Sequence, residues 1–384
     1  MLKITAVTGG RADWGLLSPV LRLLRDDPAF DLRIVVTGQH LMENAGGSLA
    51  LIEKENFDIA SSVDIGLGND DSVAAVTKAL GCTVSGFAGV FDRDRPDLLL
   101  VLGDRYEIFG VVQAALMARV PVAHLFGGDV TEGAVDDLLR HAITKMSHLH
   151  FVTSQDARKR VIQMGENPES VYCVGSTGLD HIHTMEKMDK DVFFESIGFR
   201  PRTKNLIMTF HPVTLETNSP DQCREMLKAL ECLEEDVGII LTGSNADSEG
   251  LEITARVKAF AESHENACFH QSLGTMRYLN ALRHVDVVVG NSSSGLYEAP
   301  SFGIPTVNIG NREKGRLKAS TVIDCPAEKD AILDAIQEAL TRPRGAGENP
   351  YGDGHSAARI VEVLRSIQNP EALCRKVFVD RLCD

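Results

Sequence analysis

Residues able to move protons crowd into one stretch of this 384-residue chain, Asp97 to Lys145. Two apolar runs of strand length, Leu98–Leu102 and Val120–Leu125, each stop at charged and small residues. Asp104, Arg105, His124 and Asp129 stand at those ends, with Glu132, Asp136 and Asp137 close behind. Ligands of parallel sheets collect where strands end, and carboxylates gathered there suit proton transfer on a sugar or an acid. Asp136 or Asp137 could instead do no more than stabilise the start of a helix. Asp104 is harder to assign to structure alone, because it ends a strand that should be buried on both faces. Its carboxyl should be raised unless Arg105 or another cation pairs with it, and either state fits acid–base work.

A second group of residues has the chemistry of anion binding. The turn Thr8-Gly9-Gly10-Arg11-Ala12-Asp13-Trp14-Gly15 does not follow the glycine spacing of a dinucleotide fingerprint. Its glycines allow close backbone approach, Arg11 could pair with a phosphate, and Asp13 could cap the following helix. An apolar run ending in Gly290 enters Asn291-Ser292-Ser293-Ser294-Gly295, which reads as a helix N-terminus built for a phosphate, with Glu298 one turn in. A carboxylate there commonly accepts from ribose hydroxyls. Three more strand ends carry donors and acceptors: Phe210-His211-Pro212, Gly243-Ser244-Asn245-Ala246-Asp247 and Gly310-Asn311-Arg312. The proline after His211 biases it away from helix, and a strand end delivers it to the ligand side. The pairs His148/His150 and His181/His183 lack the companions of a metal site, so no metal is expected.

The elements that must position these residues alternate between strand-like runs and helical patterns, which indicates parallel α/β units. The first series of strands is expected at Lys3–Thr8, Leu32–Thr37, Leu98–Leu102, Val120–His124, Leu149–Thr153 and Val171–Val174. The second is expected at Asn205–Thr209, Gly238–Leu241, Ala267–His270, Val285–Val289, Thr306–Ile309 and Thr321–Asp324. The polar segment Glu186–Thr203 precedes the second series, the linker is expected near residues 180–200, and Ser356–Ser366 reads as a final helix. A length of 384 residues suits two domains of about 150–200 residues each. The net charge of −15 argues against a nucleic-acid partner. Eight scattered cysteines without a C-x-x-C pair are those of a reduced protein. No apolar run is expected to approach the ~20 residues that span a bilayer. The N-terminus reads as a first strand rather than a signal peptide, so the expected location is the cytoplasm.

In order along nearly the whole chain, GGRADWG, GDRYEIF, the GGD…DD…RHAITKMSHLHFV block, FHPVTLE, GSNADSEG and GNSSSGLYEAPSFGIPTVNIGNREKGR resemble the UDP-N-acetylglucosamine 2-epimerase family. Arg105, where the non-hydrolysing branch typically has Thr, and the RHAITK block favour the hydrolysing branch. The resemblance implies an α/β protein of two Rossmann-like domains of the GT-B type facing a central cleft. Residues 1–182, joined by the C-terminal helix 356–384, would carry the catalytic carboxylates, and residues 183–355 would bind the nucleotide. The implied substrate is a nucleotide sugar, with neither cofactor nor metal, neither nucleic acid nor membrane, and a homodimer or homotetramer as the assembly. The implied reaction removes the C2 proton as the nucleoside diphosphate leaves C1, giving a glycal. Water then adds, and the proton returns to the opposite face of C2.

Carried over by position, Asp104 and Asp136 match acid–base residues, with His211 a further catalytic candidate. Arg11, His211, Ser292, Ser293, Glu298 and Arg312 match nucleotide contacts. Asn245 matches a contact near the diphosphate or sugar, and base recognition falls near Ser272–Gly274. Phe126 departs from the sialic-acid-type pattern, which has Glu there. Members with a non-acidic residue at this place resemble enzymes acting on nucleotide-linked 2,4-diacetamido-2,4,6-trideoxy-glucose (N,N'-diacetylbacillosamine), on the way to legionaminic acid. An apolar wall suits the sugar's C6 methyl, and Glu132, Asp129 or both would then take over the missing carboxylate's function. Two other readings stay open: a GT-B glycosyltransferase, which needs no base at C2, and a non-catalytic nucleotide-sugar-binding protein.

Overall fold

Strands buried on both faces need uninterrupted runs of Val, Ile and Leu, and this chain supplies two sets of them. The computed structural model describes residues 1–42, 48–68, 72–131, 135–213, 218–244, 249–345 and 347–380. It divides into unit 1, Met1–His181 with Tyr351–Asp384, and unit 2, Ile182–Pro350.

Unit 1 holds the strands β1 (Leu2–Thr8), β2 (Phe30–Thr37), β3 (Ile59–Val63), β4 (Leu98–Leu102), β5 (Val122–Leu125), β6 (Leu149–Val152) and β7 (Val171–Cys173). Its helices are α1 (Arg11–Arg25), α2 (Ser48–Lys54), α3 (Val73–Arg93), α4 (Tyr106–Met117), α5 (Val135–Met146) and α6 (Gln155–Gln163), with α7 (Asp180–Thr184) at the boundary of the two units. The sheet is parallel, in the order β3-β2-β1-β4-β5-β6-β7. Successive side chains of β4 go to opposite faces. Leu98, Leu100 and Leu102 join α1 residues Trp14, Leu17 and Leu21 in one core. Leu99 and Val101 join Phe87 of α3 and Val111 of α4 in another.

Unit 2 holds α8 (Lys190–Ser196), β8 (Lys204–Thr209), α9 (Ser219–Leu230), β9 (Val237–Thr242), α10 (Gly250–Ser263), β10 (Ala267–His270), α11 (Gly274–His284), β11 (Val287–Gly290), α12 (Ser294–Tyr297), β12 (Thr306–Ile309), β13 (Val322–Cys325) and α13 (Lys329–Thr341). Its parallel sheet runs β10-β9-β8-β11-β12-β13. The chain then returns to unit 1 through α14 (Ser356–Arg365), whose Ile360 and Leu364 enter the same core as Trp14. Asp180 caps this helix across the sequence, accepting from the N–H groups of Ser356 (3.1 Å) and Ala357 (2.9 Å).

In both sheets the strand order reverses once, between β1 and β4 and between β8 and β11. Strand connections diverge there and leave room for a ligand beyond the carboxyl ends.

Three expectations need correction. β3 was not foreseen: Ile59-Ala60-Ser61-Ser62-Val63 is short, half polar and at the sheet edge, so it lacks a buried strand's signature. The linker expected near 180–200 is not a plain connection, because it contains α8, whose Phe193 and Phe194 are fully buried. Finally, α3 is a 21-residue helix long and apolar enough to cross a membrane by length and composition. Small Ala, Gly, Cys, Thr and Ser residues make up much of it, and Ala79, Thr83, Phe87, Val90 and Phe91 turn its stripe inward.

Candidate functional site

In unit 1 the candidate residues gather where β1, β4 and β5 end. Gly103, in the left-handed region (φ +82), turns the chain out of β4 and presents Asp104. Behind it His124 is wholly buried in β5, and its Nε2–H reaches the Gly103 carbonyl at 2.8 Å. Burial drives the His124 imidazole down to about 3, so it is a neutral donor at ordinary pH. The cation that pairs with Asp104 is Arg140 of α5, not Arg105. Arg140 is a hub: it also donates to the Asp129 carbonyl (2.7 Å), Thr131 Oγ1 (3.2 Å) and Asp137 Oδ1 (3.3 Å). A planar guanidinium with five donors is well suited to holding three segments together.

Asp136 stands in the first turn of α5 and is exposed at its rim. Desolvation raises its carboxyl, and the negative charge of Asp104 raises it further. Asp129 is tied down, with Oδ1 accepting from Thr153 Oγ1 at 2.7 Å at the end of β6. Glu132 lies outside the described residues. Arg105 pairs with Glu107, which is completely buried in the first turn of α4. Asp13 is not the helix cap. Gly10 holds that place, and Asp13, two residues into α1, accepts from Gly9 N–H at 3.1 Å. Desolvation pushes the Asp13 carboxyl up to about 6, with the Glu107 and Asp104 charges adding to it and Arg105 opposing. Arg11 is exposed at the head of α1. Phe126 has φ +68, which is rare for an aromatic residue, and it packs partly buried against the core containing Trp14.

In unit 2 Asn291 is the organising residue. Its side chain bonds both backbone groups of His211, accepting from N–H at 2.7 Å and donating to C=O at 2.8 Å. Its own carbonyl accepts from Arg312 Nη1 at 3.0 Å. The ends of β8, β11 and β12 are thereby joined. His211 is 8% exposed with Nδ1 3.4 Å from Ser244 Oγ, and burial, assisted by the Arg312 charge, lowers its imidazole to about 4. Gly290 (φ +130) runs so close to the Thr209 carbonyl that any Cβ would overlap it.

The helix expected after Gly290 is only the single turn α12, followed by the 3-10 turn Ala299–Phe302. So short a helix has little dipole to offer. Instead its hydroxyls form a chain in which Ser292 Oγ meets Ser294 Oγ at 3.2 Å, and Ser294 meets the Tyr278 hydroxyl. Ser293 occupies the N-cap position of α12 without a side-chain capping bond, and Glu298 directly follows that helix; desolvation pushes the Glu298 carboxyl up to about 7. Arg312 also pairs with buried Glu313, which reaches Arg316 on its other side (2.7 Å). Ser272 is exposed and accepts from Gly274 N–H at 3.1 Å. Asn245 lies outside the described residues.

Sequence reasoning missed Arg140, Glu107 and Asn291 as site-forming residues, although each stands inside a motif it used. Arginine and glutamate have no distinctive spacing here, and their importance appears only when distant strand ends meet. Among the described residues no group of three His, Cys, Asp or Glu side chains is arranged to hold a metal ion. The unit 1 cluster thus sets Asp136, its carboxyl raised by desolvation, beside the Asp104–Arg140 ion pair.

Two parallel α/β units of this kind are the fold of the GT-B type. The model of the UDP-N-acetylglucosamine 2-epimerase family matches residues 22–365, and the chain belongs to that family of enzymes. It is 37% identical over 366 residues to a UDP-N,N'-diacetylbacillosamine 2-epimerase (hydrolyzing) of Legionella pneumophila, covering 95% of this chain and 96% of that protein. It is 36% identical over 325 residues to a GDP/UDP-N,N'-diacetylbacillosamine 2-epimerase (hydrolyzing) of Campylobacter jejuni, covering 84% of each. The fold matches the UDP-GlcNAc 2-epimerase of Neisseria meningitidis solved bound to UDP-GlcNAc, with a TM-score of 0.78, 18% identity, and coverage of 94% of this chain and 99% of that one.

Proposed function

We propose that the chain is a hydrolysing 2-epimerase of a nucleoside-diphospho-2-acetamido sugar, with UDP- or GDP-N,N'-diacetylbacillosamine as substrate. The relatives that span most of its length support the reaction class. The observation that carries the reading is the group Asp104, Asp136 and Asp137 set about Arg140 at the ends of β4 and β5, with Phe126 as its apolar neighbour in sequence position.

In this reading unit 2 supplies the nucleotide contacts: Arg312 and the Ser292–Ser294 hydroxyls for the diphosphate, and Glu298 for ribose hydroxyls. Unit 1 supplies the chemistry. Asp136, made more basic by desolvation and by Asp104, takes the proton from C2 while the C1–O bond breaks and its electron pair leaves with the nucleoside diphosphate. The product is a 1,2-unsaturated glycal. Water then adds its oxygen to C1 and gives up one proton to a carboxylate, while a carboxylic acid delivers a proton to the opposite face of C2. The sum is nucleotide sugar plus water giving nucleoside diphosphate plus the free manno-configured sugar. Such a sugar is a precursor for nonulosonic acids of the sialic and legionaminic type.

The test incubates the protein with UDP- and GDP-linked N-acetylglucosamine and diacetylbacillosamine in D2O and identifies the released sugar by NMR. Nucleoside diphosphate with a 2-epimeric sugar carrying deuterium at C2 is expected. Release that requires an added acceptor would indicate a glycosyltransferase, and binding without turnover of any of the four would indicate a non-catalytic protein.

A further inference from the structure

The helix that carries Asp136 and Arg140 is held at its other end by residues 376–379. Over its 12 residues, α5 extends for about 18 Å. Thr144, near its C-terminus, lies 3.2 Å from His124 Nδ1. Beyond Thr144 the helix meets the segment that follows α14. Lys376 Nζ donates to the carbonyls of Lys145 and Ser147, both at 2.6 Å, and pairs with Glu166 at 2.7 Å. These three acceptors use all three ammonium protons, and the cation sits at a helix C-terminus, where the dipole favours it.

Glu166 is only 1% exposed and also accepts from Lys145 Nζ (2.8 Å) and His150 Nε2 (3.0 Å). Two residues beyond Lys376, the Phe378 ring lies under Lys145 Nζ, which is 4.5 Å from its centroid, and against Gly165, where a Cβ would collide with it. Val379 N–H closes the attachment on the Gly165 carbonyl at 3.0 Å. Phe378 is 60% exposed, so its place is set by these contacts rather than by burial in a core.

We propose that Lys376–Val379 is a positioning strap, which fixes α5 from its C-terminal end and thereby sets the place of Asp136 and Arg140. A helix is stiff along its axis, so a shift where Lys145 is anchored moves the first turn as well. Displacing a proton-transfer group by about 1 Å is enough to cost on the order of 100-fold in rate. Lys376, Phe378 and Glu166 touch no reacting atom in this scheme; they are positioning residues.

The positioning role rests on the proposed function, whereas the attachment itself does not. Two measurements on full-length Lys376→Met, Phe378→Ala and Lys376→Arg therefore separate them. In hydrogen exchange without substrate, the α5 amides of Lys376→Met and Phe378→Ala should exchange at least tenfold faster than in the unaltered protein. In steady-state release of nucleoside diphosphate, kcat should fall tenfold or more with KM changing less than twofold, and Lys376→Arg should recover most of the loss. Unchanged α5 exchange in both Lys376→Met and Phe378→Ala would overturn the strap. Faster exchange with intact kcat would overturn the positioning role. If the unaltered protein turns over no nucleotide sugar, the functional reading fails, and the exchange measurement still decides the strap.

Discussion

In the proposed reaction, proton traffic in unit 1 rests on unequal surroundings of similar side chains. Asp104 is paired with Arg140, while Asp136 is raised by desolvation and by the charge of Asp104. Asp136→Asn keeps the shape and removes the proton acceptor. It should lower kcat by about 10²–10⁴-fold and leave nucleoside diphosphate affinity within a few-fold, as read by single-turnover assay and calorimetry. Phe126→Glu would place a carboxylate beside an apolar core edge. Turnover of the diacetamido-trideoxy sugar should drop at least tenfold, and an unchanged rate would remove Phe126 from substrate choice. Glu298, with its carboxyl near 7, is ionised only above that pH. An ionised carboxylate accepts hydroxyl protons better. Affinity for UDP or GDP should therefore rise between pH 6 and 8, and Glu298→Gln should flatten the rise.

Elements matter here through how closely they approach one another. β8 and β11 lie side by side at the reversal of the unit 2 sheet, and Gly290 passes against the Thr209 carbonyl. Backbone cannot yield there as a flexible side chain could. Gly290→Ala should destabilise the protein by more than about 2 kcal/mol and weaken nucleoside diphosphate binding, because Asn291 would lose its place between His211 and Arg312. Urea unfolding of the variant beside the unaltered protein measures the first effect, and titration with UDP the second. In unit 1 the same kind of precision comes from β5, where buried His124 holds the turn that presents Asp104.

For the whole molecule, buried neutral imidazoles set the response to acid. His40, His124 and His211 are 2%, 0% and 8% exposed, and desolvation lowers them from 6.5 to about 4, 3 and 4. The unfolded chain binds protons at these sites below pH 6.5, while the folded state does not until about 4. The unfolded state therefore holds more protons across that window, and stability falls as pH falls through it. Each imidazole contributes about 1.4 kcal/mol per pH unit there. Glu166, held near 2 by its three hydrogen-bond partners despite its burial, adds a further loss from about 4.5 downward. Melting temperature measured from pH 7 to 4 should drop steeply, and a flat profile would contradict these buried, neutral states.

Much of the architecture was already legible in the sequence, because a strand buried on both faces must be an apolar run. β4 and β12 fall where those runs predict, residue for residue. β3 and α8 did not show, since an edge strand and a short helix with one buried face carry too little periodicity. The same contrast holds at the site. Asp104, Asp136, His211 and Ser292 could be named from strand ends, but their partners could not, because pairing depends on distance and distance is not written in spacing. Only the tertiary structure decided that Arg140 rather than Arg105 answers Asp104, that Asn291 binds three strand ends together, and that α12 is a single turn. What the sequence alone determined is where carboxylates and hydroxyls leave the strands. Folding determined their charge states, because desolvation and neighbouring charge arise only when remote segments meet.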